Sequence, residues 1–552
     1  MSILFKSSVQ NDSIFTPEDF DETTDMIART AEMYAKEKVY PRLEELNDKN
    51  FDTVRELMEE AGNLGLIGAD IPEEYGGLDL GKVNGAIISE KLAYAHSFSI
   101  TFGGQTGIGA LPIAYFGNDE QKERYLPSIL SGENIAAYAL TEPSSGTDAL
   151  SLRTTATLND EGTHYLISGE KQWITNAGFA NIFIVYARAP EGVTAFIVEA
   201  DSEGLSTSQE EEKMGLEGSS TCSVILDQVK VPKENVIGQL GKGHYIAFNV
   251  LNIGRFKISA TSLGSAKRSL ELALQYGNER KQFQKTLNEF ELTQYKIAAM
   301  AAQIFAVESV IYRIAGEMQE SFEQMDSTSN YAKAIAPYAS KCSLSKIIAT
   351  ESLDAIVDEA LQIHGGYGYM KEYEIENIYR DVRINRIFEG TNEINRIILA
   401  QECMNAEYES FPVSEEMDQS LLRVVREVEK VIIQTIQHFQ KEQLVDMNKY
   451  QTIAHFIANC ATQFYAIESA VLRTEKADKS GKNSSYMYAL TNLFIQRAIT
   501  KLVSESTYLL SECNNAELVT SWMNLLSIHR IHYLSLQQLV AEKLIQIENY
   551  SI

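Results

Sequence analysis

From about Pro17 to Leu130 the chain reads as helical. The segment TPEDF supplies Thr16 as an N-cap with Pro17 in the first turn, and the stretch that follows to Val39 is rich in Ala, Glu, Lys and Met. A Pro and Gly punctuation point, DIPEEYGGLDLG from Asp70 to Gly81, separates the later helices. Between about Glu142 and Gly243 the period changes. Runs at His164 to Ile167, Asn181 to Ala187, Val193 to Val198 and Cys222 to Val231 favour Val, Ile, Tyr and Phe between Gly, Asp and Pro, which predicts a compact β domain. Helical spacing resumes near Tyr245 and runs to Leu399, broken by QIHGGYGYMKEY, with the short loops of an antiparallel bundle. Beyond Asn405, Leu421, Val424, Val425, Val428, Val431, Ile432, Ile436 and Phe439 mark one apolar helix face. Cationic residues do not dominate its polar side, so it reads as bundle core and not as a membrane-surface helix. The pattern predicts a mainly α chain with an inserted β domain: helical over 1–137, β over 138–243, a helical bundle over 244–404 and a helical extension over 405–552.

At 552 residues, 44% of them hydrophobic, the chain can bury a large core. Lys and Arg number 48 against 76 Asp and Glu, a net charge of -28, which argues against a surface that tracks nucleic-acid phosphates. An anionic ligand would need a local cluster of donors. The five cysteines, Cys222, Cys342, Cys403, Cys460 and Cys513, have no paired spacing, as expected of reduced thiols and neither a disulfide framework nor a zinc site. The segment MSILFKSSVQNDSIF lacks an apolar core behind a basic head, and no uncharged apolar run reaches membrane-spanning length. The expectation is a soluble cytoplasmic protein with no transmembrane segment and no metal.

Chemistry concentrates at Arg386-Ile387-Phe388-Glu389-Gly390-Thr391-Asn392-Glu393. Poor hydration between Ile387 and Phe388 would raise the Glu389 carboxyl toward the range of a general base, although an acid before a glycine is also a common turn residue. Three further segments carry groups suited to a flavin. YALTEPSSGTD, from Tyr138 to Asp148, gathers hydroxyls and turn N-H groups, or is simply a Ser/Thr-rich linker. GEKQWITNAG, from Gly169 to Gly178, alternates so that Trp173 and Thr175 share a strand face, an indole beside a hydroxyl, unless Trp173 is a core residue. QIHGGYGY, from Gln362 to Tyr369, has glycines that let backbone approach a pyrophosphate, but it is not the G-x-G-x-x-G of a Rossmann domain.

In this order, and together with ERKQFQK and RIFEGTNEI, these segments resemble the acyl-CoA dehydrogenase family from about Phe15 to Ala400. The tract LNIGRFKISATSLGSAKRSL and the C-terminal extension are similar to its very-long-chain branch. The resemblance implies a helical N-terminal domain, a β-barrel-like middle domain, a four-helix bundle and FAD as cofactor. It implies that Tyr138, Leu140, Thr141 and Thr147 contact the flavin, Trp173 stacks on the ring and Thr175 bonds near N5. Arg280, Phe283, Gln362, Gly365 and Gly366 would reach the adenosine and pyrophosphate end from the neighbouring subunit, and Thr391 and Glu393 would close the site. Glu389 falls on the family's base. The alternative position used by some branches is Gly254, before Arg255, and glycine accepts no proton. Thr147, Asn252, Arg255 and Gly390 would contact the substrate, with Asn252 and Arg255 at the CoA end; a structural ion pair is the other reading of Arg255.

The implied reaction is α,β-dehydrogenation of a fatty acyl-CoA to trans-2-enoyl-CoA in fatty acid β-oxidation, with an electron-transfer flavoprotein as acceptor. The alternatives are an oxygen-using acyl-CoA oxidase and a non-catalytic assembly partner on the same scaffold. Gly103 and Gly104 fall where the family lines the far end of the acyl pocket, and the extension would cover a tetramer face, leaving a homodimer. Three departures stand out: Thr147 replaces a serine, Gln284 a glycine and Phe388 a tyrosine.

Overall fold

The computed structural model describes residues 14–325, 331–408, 421–482, 484–510, 515–529 and 531–550. These form two compact units, one holding the residues up to 20 with 265–317 and everything from 340 onward, the other 21–264 with 318–339. Cys513 and the first thirteen positions lie outside the described residues; among the described residues Cys222, Cys342, Cys403 and Cys460 are buried and form no disulfide.

The expected long first helix is divided, and the unit that holds 21–264 begins with its second part. Pro17–Asp19 is only a 3-10 turn, closed where the Thr16 N-H and Oγ1 both donate to Asp19 Oδ2, at 2.7 and 3.0 Å. The α-helix Glu22–Met33 starts afresh under its own cap, the Thr24 N-H donating to Asp21 Oδ1 at 2.7 Å. Two acceptable caps five residues apart compete for one start, and the periodic apolar positions decide for the second.

Eight strands then form one sheet: β1 (Ala136–Ala139), β2 (Thr155–Leu158), β3 (His164–Thr175), β4 (Ile182–Ala189), β5 (Gly192–Glu199), β6 (Leu205–Thr207), β7 (Thr221–Pro232) and β8 (Val236–Ile237). Their order is β6-β7-β3-β2-β4-β5-β8, with β1 parallel to β4. All four runs expected from the sequence are here, as β3, β4, β5 and β7. The strand β4 is buried on both faces except at Arg188, which explains its unbroken apolar run. Phe183, Val185, Phe196, Val198 and Val224 form the core of the sheet; each contributes about 1.5–3 kcal/mol by leaving water.

In the other unit the apolar stripe of the extension behaves as core. The helix Leu421–Lys441 buries Val424, Val425, Val428, Val431, Ile432, Ile436 and Phe439, while Leu421 at its start is half-buried. Trp522, 1% exposed, closes one end by donating its indole N-H to Thr435 Oγ1 at 3.0 Å. Among the described residues one helix, Glu291–Glu323, is long and apolar enough to cross a membrane. Its most apolar window is 89% buried inside the protein, the environment of a core helix.

Candidate active site

The segment around Glu389 is held in a conformation that few sequences adopt. After the 3-10 turn Arg383–Arg386, Glu389 and Gly390 follow one another at φ 57° and 80°, and Thr391 then caps the helix Asn392–Asn405. Left-handed backbone is strained for a residue with a Cβ and free for glycine, so Glu389 needs outside support. The support converges on the next carbonyl. Lys346 Nζ donates to Gly390 O at 3.0 Å and Asn395 Nδ2 donates to the same oxygen at 2.8 Å and to Thr391 O at 3.0 Å. Lys346 also donates to Asn392 Oδ1 at 2.6 Å, and Asn392 Nδ2 donates onward to Glu351 Oε1 at 3.1 Å. Lys346, Asn392 and Asn395 are at most 1% exposed. None was singled out by sequence; the one local sign is a lysine inside the apolar helix SKIIATESL.

Glu389 is half-buried, with Oε2 shielded from solvent. The shielding does not come from Ile387, which is 47% exposed because the turn throws its side chain outward, contrary to the expectation that it would dry the carboxylate. Glu393, in the first helical turn, is held below the ordinary carboxylate range, first by its own backbone N-H and then by Thr391 Oγ1.

In the same unit Arg280, Phe283, Gln362, Gly365 and Gly366 are all exposed. Phe283 and Gln284 form the two-residue tip of the hairpin Lys281–Gln282/Lys285–Thr286, with φ 52° and 68°. Both left-handed values are what a type I′ turn requires, so the glycine usual at position 284 has a backbone reason. The guanidinium of Arg280 lies 5.4 Å from the ring centre of Tyr367. Gly365, at φ 60°, and Gly366 have no atom within 4 Å of where a Cβ would sit. The preceding His364 is buried, stacked at 4.4 Å on Tyr276, with Nδ1 donating to Ala360 O.

The other unit brings together the first two segments expected to meet a flavin. Lys171, fully buried on β3, donates to Glu142 Oε1 at 2.7 Å and to Leu140 O at 3.2 Å, while the Gln172 N-H donates to Thr141 O at 2.9 Å. Burial alone would raise the Glu142 carboxyl, but the Arg153 N-H, Lys171 and the Thr154 N-H outweigh it and hold it below the ordinary range. The TEPSSGTD segment is therefore a pinned loop and not a linker. Three steps along β3, from Lys171 to Ile174, match two along β7, from Val224 to Cys222, and Trp173 takes φ 57° in this bulge. Trp173 is 59% exposed and so no core residue; with half-buried Thr175 it flanks the buried Ile174. Tyr138 and Leu140 are 9% and 7% exposed, Thr141 is half-buried and Thr147 exposed. Asn252 and Arg255 are both buried on the helix Gly243–Glu279, with Arg255 Nη1 donating to Asn252 Oδ1 at 2.9 Å.

Four family profiles match along the chain: acyl-CoA dehydrogenase N-terminal domain over residues 21–133, middle domain over 137–229, C-terminal domain over 241–404 and a second C-terminal domain over 430–527. The chain belongs to the acyl-CoA dehydrogenase family. A Bacillus subtilis protein named probable acyl-CoA dehydrogenase is 45% identical over 526 residues, 90% of this chain and 88% of that one. The mitochondrial very long-chain specific acyl-CoA dehydrogenase of Rattus norvegicus is 36% identical over 73% of this chain and 62% of its own length. The crystal structure of a Bacillus anthracis acyl-CoA dehydrogenase complexed with FAD aligns over 100% of this chain and 99% of its own, with a TM-score of 0.93 at 43% identity. The acyl-CoA dehydrogenase fold, with its helical N-terminal domain, middle sheet and helical C-terminal domains, accounts for the element order seen here.

Proposed function

We propose that the protein is an FAD-dependent dehydrogenase of fatty acyl-CoA thioesters, forming trans-2-enoyl-CoA and passing electrons to an electron-transfer flavoprotein. The residues present fit FAD. An indole exposed at a strand bulge beside a hydroxyl suits a flat heterocycle, and the bare backbone of Gly365 and Gly366 suits a pyrophosphate. Tyr138, Leu140, Thr141, Thr147, Trp173 and Thr175 would hold the ring and ribityl, and Arg280, Phe283, Gln362, Gly365 and Gly366 the nucleotide end of a second subunit's cofactor in a homodimer. Bound FAD supplies the two-electron acceptor for the β-hydrogen.

The observation that carries the reading is the Glu389 loop, a strained carboxylate with a shielded oxygen on a backbone fixed by three buried side chains. The α-proton of the thioester passes to Glu389, and the Glu389 N-H donates to the thioester carbonyl as enolate charge grows there. Thr391 and Glu393 close this end, Gly390 lends the turn, and Arg255 with Asn252 offers the anionic CoA a fixed donor set. Glu389→Gln should keep its flavin and fail to bleach the flavin absorbance when palmitoyl-CoA is added. Bleaching at the unmodified rate would remove the assignment.

A long acyl chain is favoured by one detail of the glycine pair. A Cβ on Gly104 would meet Asn176 Nδ2 at 3.1 Å and Thr175 Cγ2 at 3.3 Å, whereas around Gly103 nothing lies within 4 Å. Gly103 is the position that leaves room.

A further inference from the structure

Asn459 belongs to the helix Gln451–Lys479 of the extension, beyond every segment that resembles flavin or substrate machinery. It is 4% exposed, and both ends of its amide are used. Its Oδ1 accepts from Arg396 Nε at 3.0 Å, and its Nδ2 donates to Glu505 Oε2 at 2.9 Å and to His455 Nε2 at 3.0 Å. Arg396 grips Glu351 with two nitrogens, Nη1 to Oε1 at 2.8 Å and Nη2 to Oε2 at 2.9 Å. Glu351 Oε1 accepts from Asn392, Asn392 Oδ1 accepts from Lys346, and Lys346 donates to the carbonyl of Gly390. An unbroken polar chain thus runs from the second and third helices of the extension to the peptide next to Glu389. Its members alternate donor and acceptor, which fixes the amide orientation of Asn459 and Asn392, and Lys346, Asn392, Arg396 and Asn459 are buried. Burial alone would raise the Glu351 carboxyl, but Arg396 and Asn392 hold it below the ordinary range, so the acceptor at the middle of the chain stays charged at neutral pH.

We propose that the extension takes part in the reaction through Asn459, a positioning residue that sets the Glu389 loop by way of Arg396, Glu351, Asn392 and Lys346. The inference rests on Glu389 being the base and deepens that reading. Glu389 sits in left-handed backbone that nothing in its own side chain favours, so its place depends on how firmly Gly390 O is held. Release at the far end lets Arg396 turn, Glu351 rotate and Lys346 drift, and a displacement near 1 Å at a reacting group is worth up to about a hundredfold in rate.

The test uses the full-length flavoprotein and rapid-mixing measurement of flavin bleaching by palmitoyl-CoA, normalised to bound flavin, across pH. Asn459→Leu, close in volume and without hydrogen bonds, should slow bleaching about tenfold or more. It should move the pH midpoint of that rate, leave KM within about threefold and leave FAD content unchanged. Asn459→Asp keeps the acceptor for Arg396 and should retain more of the rate than Asn459→Leu. Glu505→Gln, a milder break at the same end, supplies the measurement if Asn459→Leu does not fold. Bleaching per flavin and a pH midpoint equal to the parent in both Asn459→Leu and Glu505→Gln would overturn the proposal. Glu389→Gln run alongside separates the two claims: an active Glu389→Gln removes the base, while an inactive one beside unchanged extension variants removes only the relay.

Discussion

The two regions to which the proposed function assigns chemistry are secured in different ways. Beside Trp173 the backbone is pinned by one buried ion pair, Lys171 with Glu142, whose carboxylate also takes the N-H groups of Arg153 and Thr154. Around Glu389 the support falls on the backbone, with Arg386 Nη1 paired to Asp354 Oδ2 at 2.8 Å at the start of the segment. A backbone carbonyl is held by a lysine and an asparagine, and the hydrogen bonds continue to the ion pair of Glu351 with Arg396 farther along. A buried pair is a closed arrangement, and breaking it strands an uncompensated charge on the spot. A chain of single hydrogen bonds transmits small displacements and can be adjusted from its far end. On the proposed function, the flavin side would be the more rigid of the two and the base side the more tunable.

That contrast can be broken most severely at the base itself. Glu389→Gln should lower the rate of flavin bleaching by roughly 10²–10⁴, the span of a lost general base, with flavin retained. A comparable loss from Glu142→Gln at full flavin content would show that the two regions are not separable. Glu142→Gln should instead act on folding: with Lys171 left buried without its anion, destabilisation of about 3–5 kcal/mol is expected in denaturant melts. The same pair sets an acid limit. The folded Glu142 carboxyl lies below its ordinary value of 4.5, so its stabilisation is complete above that pH and is lost as pH falls through the folded value. Flavin release on acid titration should begin below about pH 4.5 and should vanish as a distinct step in Glu142→Gln.

Smaller effects sharpen the picture. Gly103→Leu should shift preference toward short acyl-CoA, read as the ratio of kcat/KM for butyryl- and palmitoyl-CoA, with bleaching by the short substrate retained. An unchanged ratio would place the acyl tail elsewhere. Gln284→Gly, which relieves a left-handed side chain at the hairpin tip, should raise stability by about 1 kcal/mol without altering turnover. Whether oxygen competes as acceptor is read by hydrogen peroxide formed against electron-transferring flavoprotein reduced.

Much of this was legible in the sequence because it is local. The change from helix to strand spacing, the apolar stripe from Val424 to Phe439, and the glycines at 365, 366 and 390 all act within a few residues of themselves. What was not legible depends on partners distant in sequence. Lys171 and Glu142 are 29 positions apart, Lys346 and Gly390 are 44, and Arg396 and Asn459 are 63. Nothing in a period of two or of 3.6 announces such pairings. The bulge at Trp173 was hidden for another reason, since alternation is the default reading of a strand and one inserted residue leaves no compositional trace.

The neighbouring glycines 103 and 104 divide two freedoms that enzymes usually have to trade. A side chain on the first would enter empty space; on the second it would press on the Asn176 amide and the Thr175 methyl. If the proposed acyl pocket ends here, a lineage, or an engineer, could rewrite which fatty acids are accepted at one position while the adjacent one resists change.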